Sequence, residues 1–160
     1  MIDEIATRMI EYFKQDVRRI NHALKVFSFA GIIGETENLD GNTLRDLKTA
    51  ALLHDIGIPE SEKKYNSSSG KYQEIEGPPV AKEILRDMSL STESLNRILY
   101  MIGNHHSYKN IDGLDFQILV EADFLVNIYE DNLDKGAIES IRKKIFKTAT
   151  GLKILNSMYG

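Results

Sequence analysis

The residues of this sequence that could do chemistry together are histidines and acids at the ends of apolar segments. His54 and Asp55 directly follow the small and aliphatic residues 49–53. Such a segment is typical of a buried helix, and a carboxylate carried to its end costs several kcal/mol in a low-dielectric interior unless it has a partner. A divalent cation would satisfy both side chains at once. The pair therefore indicates a metal site.

Three further histidines are candidate ligands, each with a plainer alternative. His22 lies on a predicted helical seam with Val26 and Ile33, where a histidine is commonly a hydrogen-bonded core residue. His105 and His106 close another apolar helix, at the end where the macrodipole favours a cation. As an isolated feature, such a pair is more often made of surface histidines that cap helical carbonyls. Spacing alone leaves both interpretations open at each position.

Asp123 stands where an unpartnered carboxylate should not be. It belongs to segment 114–130, which is apolar round nearly its whole circumference, and it shares a stripe with Phe116 and Val126. A buried salt bridge is the alternative explanation, but no lysine or arginine occurs between Ile111 and Asp134. A metal ligand is therefore the favoured interpretation.

Composition narrows the class of protein. The 160 residues, of which 42% are hydrophobic, suit a single domain, 1–160. The formal net charge of −4 disfavours nucleic acid as a partner, and no apolar run is long enough to span a membrane. The N-terminus does not resemble a signal peptide, so a cytoplasmic location is expected. Because there is no cysteine, imidazole and carboxylate must supply any metal ligands.

Apolar periodicity predicts an all-α, single-domain bundle of about seven helices, with no strand and no internal repeat. Segment 59–77 is polar and aperiodic, which predicts a long loop and, beside the suspected ligands, an active-site lid. The helices are predicted over 2–14, 17–35, 43–54, 78–88, 92–106, 114–130 and the tail. The predicted N-caps are Asp16, Asn42 or Thr43, and Ser91 or Thr92.

In the order of its candidate ligands, the sequence resembles the HD-domain metal-dependent phosphohydrolase superfamily. The signature of that superfamily is H…HD…D over an all-α bundle, met here by His22, His54, Asp55 and Asp123. The similarity is strongest over residues 16–130 and includes the segments around each ligand: 19–26, 50–57 and 121–127.

The resemblance implies a divalent metal ion held by His22, His54, Asp55 and Asp123. Two imidazoles and two carboxylates suit Mn, Ni, Co, Fe, Zn or Mg. Metal-activated water would attack a phosphate ester, with Asp55 orienting that water or taking its proton. His105 or His106 could bind a second metal, contact the phosphate or protonate the leaving oxygen. Dinuclear relatives carry an additional histidine near the position of Gln73, so one metal is expected rather than two.

The implied activity is a metal-dependent phosphohydrolase acting on a small phosphorylated compound, with a nucleotide preferred. The predicted substrate contacts are Arg19, Lys71 and Lys109, and further candidates are Arg18, Lys63 and Lys64. A homo-oligomer is compatible with the sequence. The alternative function is a catalytically degenerate, metal-containing helical module for ligand sensing or interaction, which the missing histidine near Gln73 supports. Dioxygen chemistry at a di-iron site would need a fuller six-ligand set.

Overall fold

Nine α-helices and one short 3₁₀ turn make up the protein, and no strand is present, so the predicted all-α fold is confirmed. The computed structural model describes all residues, 1–160. In chain order the elements are α1 (Ile2–Phe13), α2 (Val17–Thr36), α3 (Gly41–Leu53), α4 (Ile58–Tyr65), α5 (Gly70–Ile84), α6 (Thr92–Asn104), the 3₁₀ turn η1 (Tyr108–Asn110), α7 (Leu114–Glu130), α8 (Lys135–Lys144) and α9 (Ala149–Tyr159). None of the helices combines the length and apolar composition that a membrane crossing requires.

Three central helices carry the candidate ligands. α7 is buried along most of its length because apolar residues cover nearly its whole circumference. α3 ends in residues 50–53, all fully buried, and packs against α2, which in turn packs against α7. The hydrophobic core therefore brings the three ligand-bearing helices into contact.

The helix N-caps follow the predictions in two of three cases. The Asp16 side chain caps α2 and the Ser91 side chain caps α6, as expected. α3 is capped by Asp40, whose carboxylate accepts a hydrogen bond from the backbone N–H of Thr43 at 2.9 Å. The predicted caps Asn42 and Thr43 instead lie inside the first turn of α3. The correction has a plain cause, because an aspartate three residues ahead of that N–H reaches it directly.

Residues 59–77, predicted to be a long loop, are mostly helical. α4 and α5 occupy nearly all of the segment, and only residues 66–69 link them. Glu76 on α5 accepts hydrogen bonds from Lys64 Nζ at 2.7 Å and from the Tyr65 hydroxyl at 2.8 Å, both on α4. The loop prediction was wrong because pairing between two short polar helices supplies stability that their periodicity does not reveal.

α5 also begins earlier than predicted. A helix was expected to start at Pro78 or Pro79, yet both prolines lie inside α5, which begins at Gly70. Its first half buries Gln73 and Gly77 where the helix packs against α4 and α6. This tertiary packing compensates for the hydrogen bonds that two prolines remove from the helix interior.

Gly57, the N-cap of α4, lies directly against the backbone of α5. A Cβ built on Gly57 would lie 2.6 Å from the backbone nitrogen of Gly77 and 2.8 Å from the backbone oxygen of Gln73. Both neighbours are backbone atoms, so neither can rotate away. The path of the chain directly after Asp55 therefore depends on glycine at this position.

A buried carboxylate attaches the C-terminal helix to the centre of the fold. Glu121 of α7 is fully buried and accepts hydrogen bonds from the backbone N–H groups of Lys147 and Thr148 at 3.0 Å. The Thr148 hydroxyl donates to the same carboxylate at 2.6 Å, and Thr148 is also the N-cap of α9. The first turn of α9 is thus fixed against the helix that carries Asp123.

We expect Gly57→Ala to lower the free energy of unfolding by about 1–3 kcal/mol, because the added methyl group must displace backbone atoms. The matched control is Gly41→Ala in the first turn of α3, where a Cβ would meet nothing within 4 Å. The control should be neutral or raise stability by up to about 1 kcal/mol. Chemical denaturation measures both, and equal stabilities would contradict the close packing of α4 on α5.

Candidate metal centre

The four predicted ligands come from three helices. His22 lies in the second turn of α2, His54 is the C-cap of α3 with Asp55 directly after it, and Asp123 lies near the middle of α7. His54 is fully buried, and His22 and Asp123 are nearly so. Burial of all three is the arrangement that the sequence led us to expect.

The ligand atoms of these side chains converge on one point. His22 Nε2 lies 3.1 Å from Asp123 Oδ1 and 3.2 Å from Asp55 Oδ2. His54 Nε2 lies 3.3 Å from each of the same two oxygens and 3.1 Å from His22 Nε2. Atoms that each bind one cation at about 2.1 Å are separated by roughly 3.0–3.4 Å. The four atoms therefore fit the coordination sphere of a single divalent metal ion.

The remaining ring nitrogen of each histidine is held by a hydrogen-bond acceptor. His54 Nδ1 donates to the backbone oxygen of Ala51 at 2.7 Å. His22 Nδ1 lies 2.7 Å from Glu130 Oε1, and Lys25 Nζ lies 3.7 Å from the other oxygen of that carboxylate. Such partners fix the tautomer in which Nε2 carries the lone pair, which is the form that binds a metal.

Burial and charge act against each other within the cluster. Burial disfavours a charged His54, but the carboxylates of Asp55 and Asp123 outweigh it and raise the pKa of the imidazole well above its usual value. Burial likewise disfavours ionised Asp55 and Asp123, but the charge of His54 holds the pKa of both carboxyl groups below their ordinary range. The pKa of His22 is raised for the same reason as that of His54. Positive charge at this point is therefore strongly favoured.

A second cluster adjoins the first through Asp55. One ligand atom from each of Asp55, His105 and His106 lies within 4.8 Å of the others. His105 Nδ1 donates to the backbone oxygen of Ile102 at 2.7 Å, while its Nε2 lies 3.5 Å from Asp55 Oδ1. That Nε2 atom is buried and has no hydrogen-bond partner. An orphaned buried imidazole nitrogen is typical of a group that binds a ligand.

His106 lies against Gln73, the residue that made a second metal ion unexpected. Gln73 Oε1 lies 3.1 Å from His106 Nε2, and Gln73 Nε2 donates to the backbone oxygen of Ser68 at 2.6 Å. Burial, and then the neighbouring His105, lower the pKa of His106 to about 4. At neutral pH the His106 ring is thus uncharged and donates from Nε2 to an amide oxygen.

The first cluster opens into a polar cavity of about 320 Å³. Its only hydrophobic lining residue is Ile58. The other lining residues are Arg18, Arg19, His22, Asp55, Ser68, Gln73, His106, Asp123, Asn127, Glu130 and Asp131. A cavity of this kind suits a small, strongly polar ligand.

The two arginines of the cavity differ in how firmly they are held. Arg19 Nη1 lies 2.8 Å from Asp16 Oδ2 and 3.1 Å from Glu62 Oε1, so α2 and α4 both restrain it. Arg18 is largely exposed, and its Nη2 lies 3.8 Å from Asp131 Oδ1. Arg18 is therefore the freer of the two to meet an incoming anion.

The predicted lysine contacts do not line the cavity. Lys71 Nζ lies 4.8 Å from the centroid of the Tyr72 ring, and Lys109 is exposed in η1. Lys64 is paired with Glu76, and Lys63 is exposed on α4. Of the three predicted substrate contacts, the cavity thus includes Arg19, and a substrate role for Lys71 and Lys109 stays a prediction.

Several lining residues were not predicted from the sequence. Asn127, Glu130 and Asp131 follow Asp123 at intervals of four, seven and eight residues, which places them on one face of α7. Asn127 Nδ2 also donates to Asp123 Oδ1 at 3.2 Å. The helical period could have found these three residues, whereas nothing in the sequence identifies Ser68.

An all-α bundle with a cluster of two histidines and two aspartates beside a polar cavity has the arrangement of a metal-binding helical domain. The HD domain model matches residues 19–149, so the chain belongs to the HD-domain family and the predicted family is confirmed. Domains of this family bind divalent metals, and the cluster could hold one.

A solved structure gives the same result. The chain resembles the crystal structure of a predicted HD superfamily hydrolase from an uncultured Thermotogales bacterium, with a TM-score of 0.71 and 26% sequence identity. The alignment covers 98% of this chain and 84% of that one. No curated protein matches the chain. The family and this relative together support a metal-dependent hydrolase.

We expect Glu130→Ala to weaken metal affinity by about 10–100-fold, because His22 loses the acceptor that fixes its ring and tautomer. Glu130→Gln should recover part of the loss, since its amide oxygen can still accept from Nδ1. Glu11→Ala, an exposed acid on α1, is the control. Titration calorimetry with Mn²⁺ measures the affinities, and an unchanged value for Glu130→Ala would contradict the orienting role.

Metal affinity should also rise with pH. Because Asp55 and Asp123 raise the pKa of His22 and of His54, a cation must compete with protons for these imidazoles on the acid side of neutrality. In that range, each decrease of one pH unit should lower the metal affinity by about 10- to 100-fold, which corresponds to the release of one or two protons on binding. Calorimetry in buffers of different ionisation enthalpy counts the protons. An affinity that stays constant from about pH 5.5 to 8 would contradict this model of the cluster.

Proposed function

We propose that this protein is a metal-dependent phosphohydrolase that cleaves a phosphate ester of a small molecule, with a nucleotide as the preferred substrate. The observation that carries the proposal is that His22, Asp55 and Asp123 of the cluster line a polar cavity that Arg18 and Arg19 also line. A phosphate ester is the substrate that needs both a cation and a guanidinium group at such short range.

Each part of the site has a chemical task in this proposal. A divalent cation at the cluster would lower the pKa of a bound water and neutralise charge on the phosphoryl oxygens. Asp55 directs Oδ2 towards the other ligands and Oδ1 towards His105. The latter oxygen is therefore free to orient the attacking water or to take its proton. Arg18 and Arg19, which line the same cavity, would bind the phosphate.

The adjacent residues His105 and His106 are suited to different roles. His105 offers an unpartnered Nε2 beside Asp55, which suits contact with a phosphoryl oxygen through water or binding of a second cation. His106 is uncharged at neutral pH because its pKa lies near 4, so it is better suited to position the phosphate than to supply a proton from solution. One cation is expected, since Gln73 uses its amide oxygen on His106.

The same hydrogen bond favours the alternative function. If His106 is held by Gln73 for structural reasons alone, the chain could bind a phosphorylated ligand without turning it over, as a sensing or interaction module. The two functions differ in a single result, which is metal-stimulated release of product.

The first test is metal content by elemental mass spectrometry on protein without a histidine tag, followed by a panel of nucleotides and a generic phosphomonoester. We expect about one metal ion per chain and metal-stimulated hydrolysis. Asp123→Ala should abolish both, whereas His106→Ala should lower kcat by about 10–100-fold and leave most of the metal bound. Lys82→Ala, on the exposed surface of α5, is the control.

Each outcome decides between the functions. Retained metal with saturable nucleotide binding and no product would support the sensing module. No metal after reconstitution with Mn²⁺ or Ni²⁺ would overturn the phosphohydrolase. Wild-type metal content in Asp123→Ala would overturn the ligand assignment.

A further inference from the structure

Two aromatic side chains lie directly beside the candidate site in the sequence and pair with each other in space. Tyr108 begins η1, two residues after His106, and Phe124 follows Asp123 on α7. Their ring centroids are 5.5 Å apart with an interplanar angle of 50°. Tyr108 is 41% exposed, so a large part of its ring is open to solvent.

The helical geometry of α7 places this pair at the edge of the cavity. Asp123, Asn127 and Asp131 line the cavity and follow each other at four-residue spacing. Because successive residues turn by about 100°, Phe124 points only about 20° away from the direction of Asp131. In helical projection Phe124 therefore lies next to the cavity-lining face of α7, and the Tyr108 ring packs against the Phe124 ring.

The cavity is lined by no tyrosine, phenylalanine or tryptophan, and its only aromatic rings are the imidazoles of His22 and His106. Of these two rings, His22 belongs to the four-residue cluster and His106 is held by Gln73, and Ile58 is the only hydrophobic lining residue. A base would therefore find a larger free aromatic surface only beyond the lining residues.

The other exposed aromatic rings are already occupied or lie elsewhere. Tyr65 and Tyr72 stack on each other with centroids 4.1 Å apart, and Lys71 Nζ lies over the Tyr72 ring. Tyr100 packs against Phe116 with centroids 5.9 Å apart and donates its hydroxyl to the backbone oxygen of Asn110. Tyr129, which is 74% exposed, belongs to a separate apolar hollow that includes Lys25. The free ring face beside the site is therefore that of Tyr108, whose hydroxyl also has no partner within the protein.

We propose that Tyr108, supported by Phe124, is the specificity-determining residue that stacks on the base of a nucleotide whose phosphate lies in the cavity. This inference rests on the proposed function, because it takes the cavity as the phosphate site. The inference also explains why a nucleotide would be preferred over other small phosphate esters. Base stacking on an aromatic side chain is the sequence-tolerant way to recognise such a group.

The test compares two phosphate esters that differ only in the base, adenosine 5′-monophosphate and ribose 5-phosphate, on the full chain reconstituted with Mn²⁺. Initial rates give kcat/KM where an ester is hydrolysed, and calorimetry gives Kd where it is not. The measured quantity is the preference for the nucleotide over the sugar phosphate. Tyr108→Ala should reduce that preference by about 5- to 100-fold, and Tyr108→Phe should keep most of it.

The control is Tyr129→Ala, which removes an exposed aromatic ring from α7 away from the cavity and should keep the wild-type preference. Metal content and circular dichroism of every variant verify that the fold and the metal site are retained. Equal losses for both esters in Tyr108→Ala would mean a structural role and overturn the inference. No preference in the wild type, or an unchanged preference in Tyr108→Ala, would also overturn it.

Failure of the proposed function gives a different result. If neither ester is hydrolysed but the nucleotide binds more tightly and Tyr108→Ala removes that advantage, the stacking role stands and the phosphohydrolase fails. If the nucleotide is hydrolysed with no dependence on Tyr108, the phosphohydrolase stands and the stacking role fails. Absence of binding by both esters overturns the stacking role.

Discussion

The structure depends on holding four ionisable side chains at one buried point. Asp55 and Asp123 alone would be unfavourable there, and the attraction to His22 and His54 offsets their desolvation only if all four are close together. That condition requires α2, α3 and α7 to pack tightly along their apolar faces. The packing of the hydrophobic core therefore sets the positions of the candidate ligands. A substitution that disturbs this packing is expected to disturb the metal centre as well.

The candidate site has two parts, which are the metal ligands on the central helices and the other residues that line the cavity. The ligands lie on or next to the central helices, and backbone oxygens and Glu130 hold their rings. Other lining residues come from the link 66–69, the first turn of α5 and the chain directly after α6, namely Ser68, Gln73 and His106. A metal centre needs distances fixed to tenths of an ångström, whereas substrate selection needs surface residues that can change without unfolding the protein. The ligands therefore lie on the packed central helices, whereas the residues that could select a substrate lie nearer the surface.

The same division explains what the sequence could predict. The ligand helices were predictable because long apolar periods and buried polar residues are local signals, and α7 was predicted with the bounds that it has. The helices α4 and α5 were not predictable, because Glu76 and its partners are twelve and eleven residues apart and only the fold shows that they meet. The lysines were named for their charge, yet a cavity is defined by the directions of side chains, which no local pattern gives. Asn127 and Glu130 are an intermediate case. The helical period of α7 places them on the same face as Asp123, but nothing in their residue types marks them as part of a site.

The Gln73 side chain connects the link 66–69 to the second cluster. Its amide nitrogen donates to the backbone of the link at Ser68, and its amide oxygen lies against His106 in the second cluster. A histidine here, as in the dinuclear relatives that the sequence resembles, would offer one more ligand to that cluster. Glutamine instead offers a neutral hydrogen bond, leaving Asp55, His105 and His106 as a three-residue group. Gly70 packs against the His106 ring so closely that a Cβ there would lie 2.8 Å from its Cγ, so this position has no room for a side chain. The residue that argues against a second cation is thus also the one that links Ser68 in the cavity wall to the second cluster.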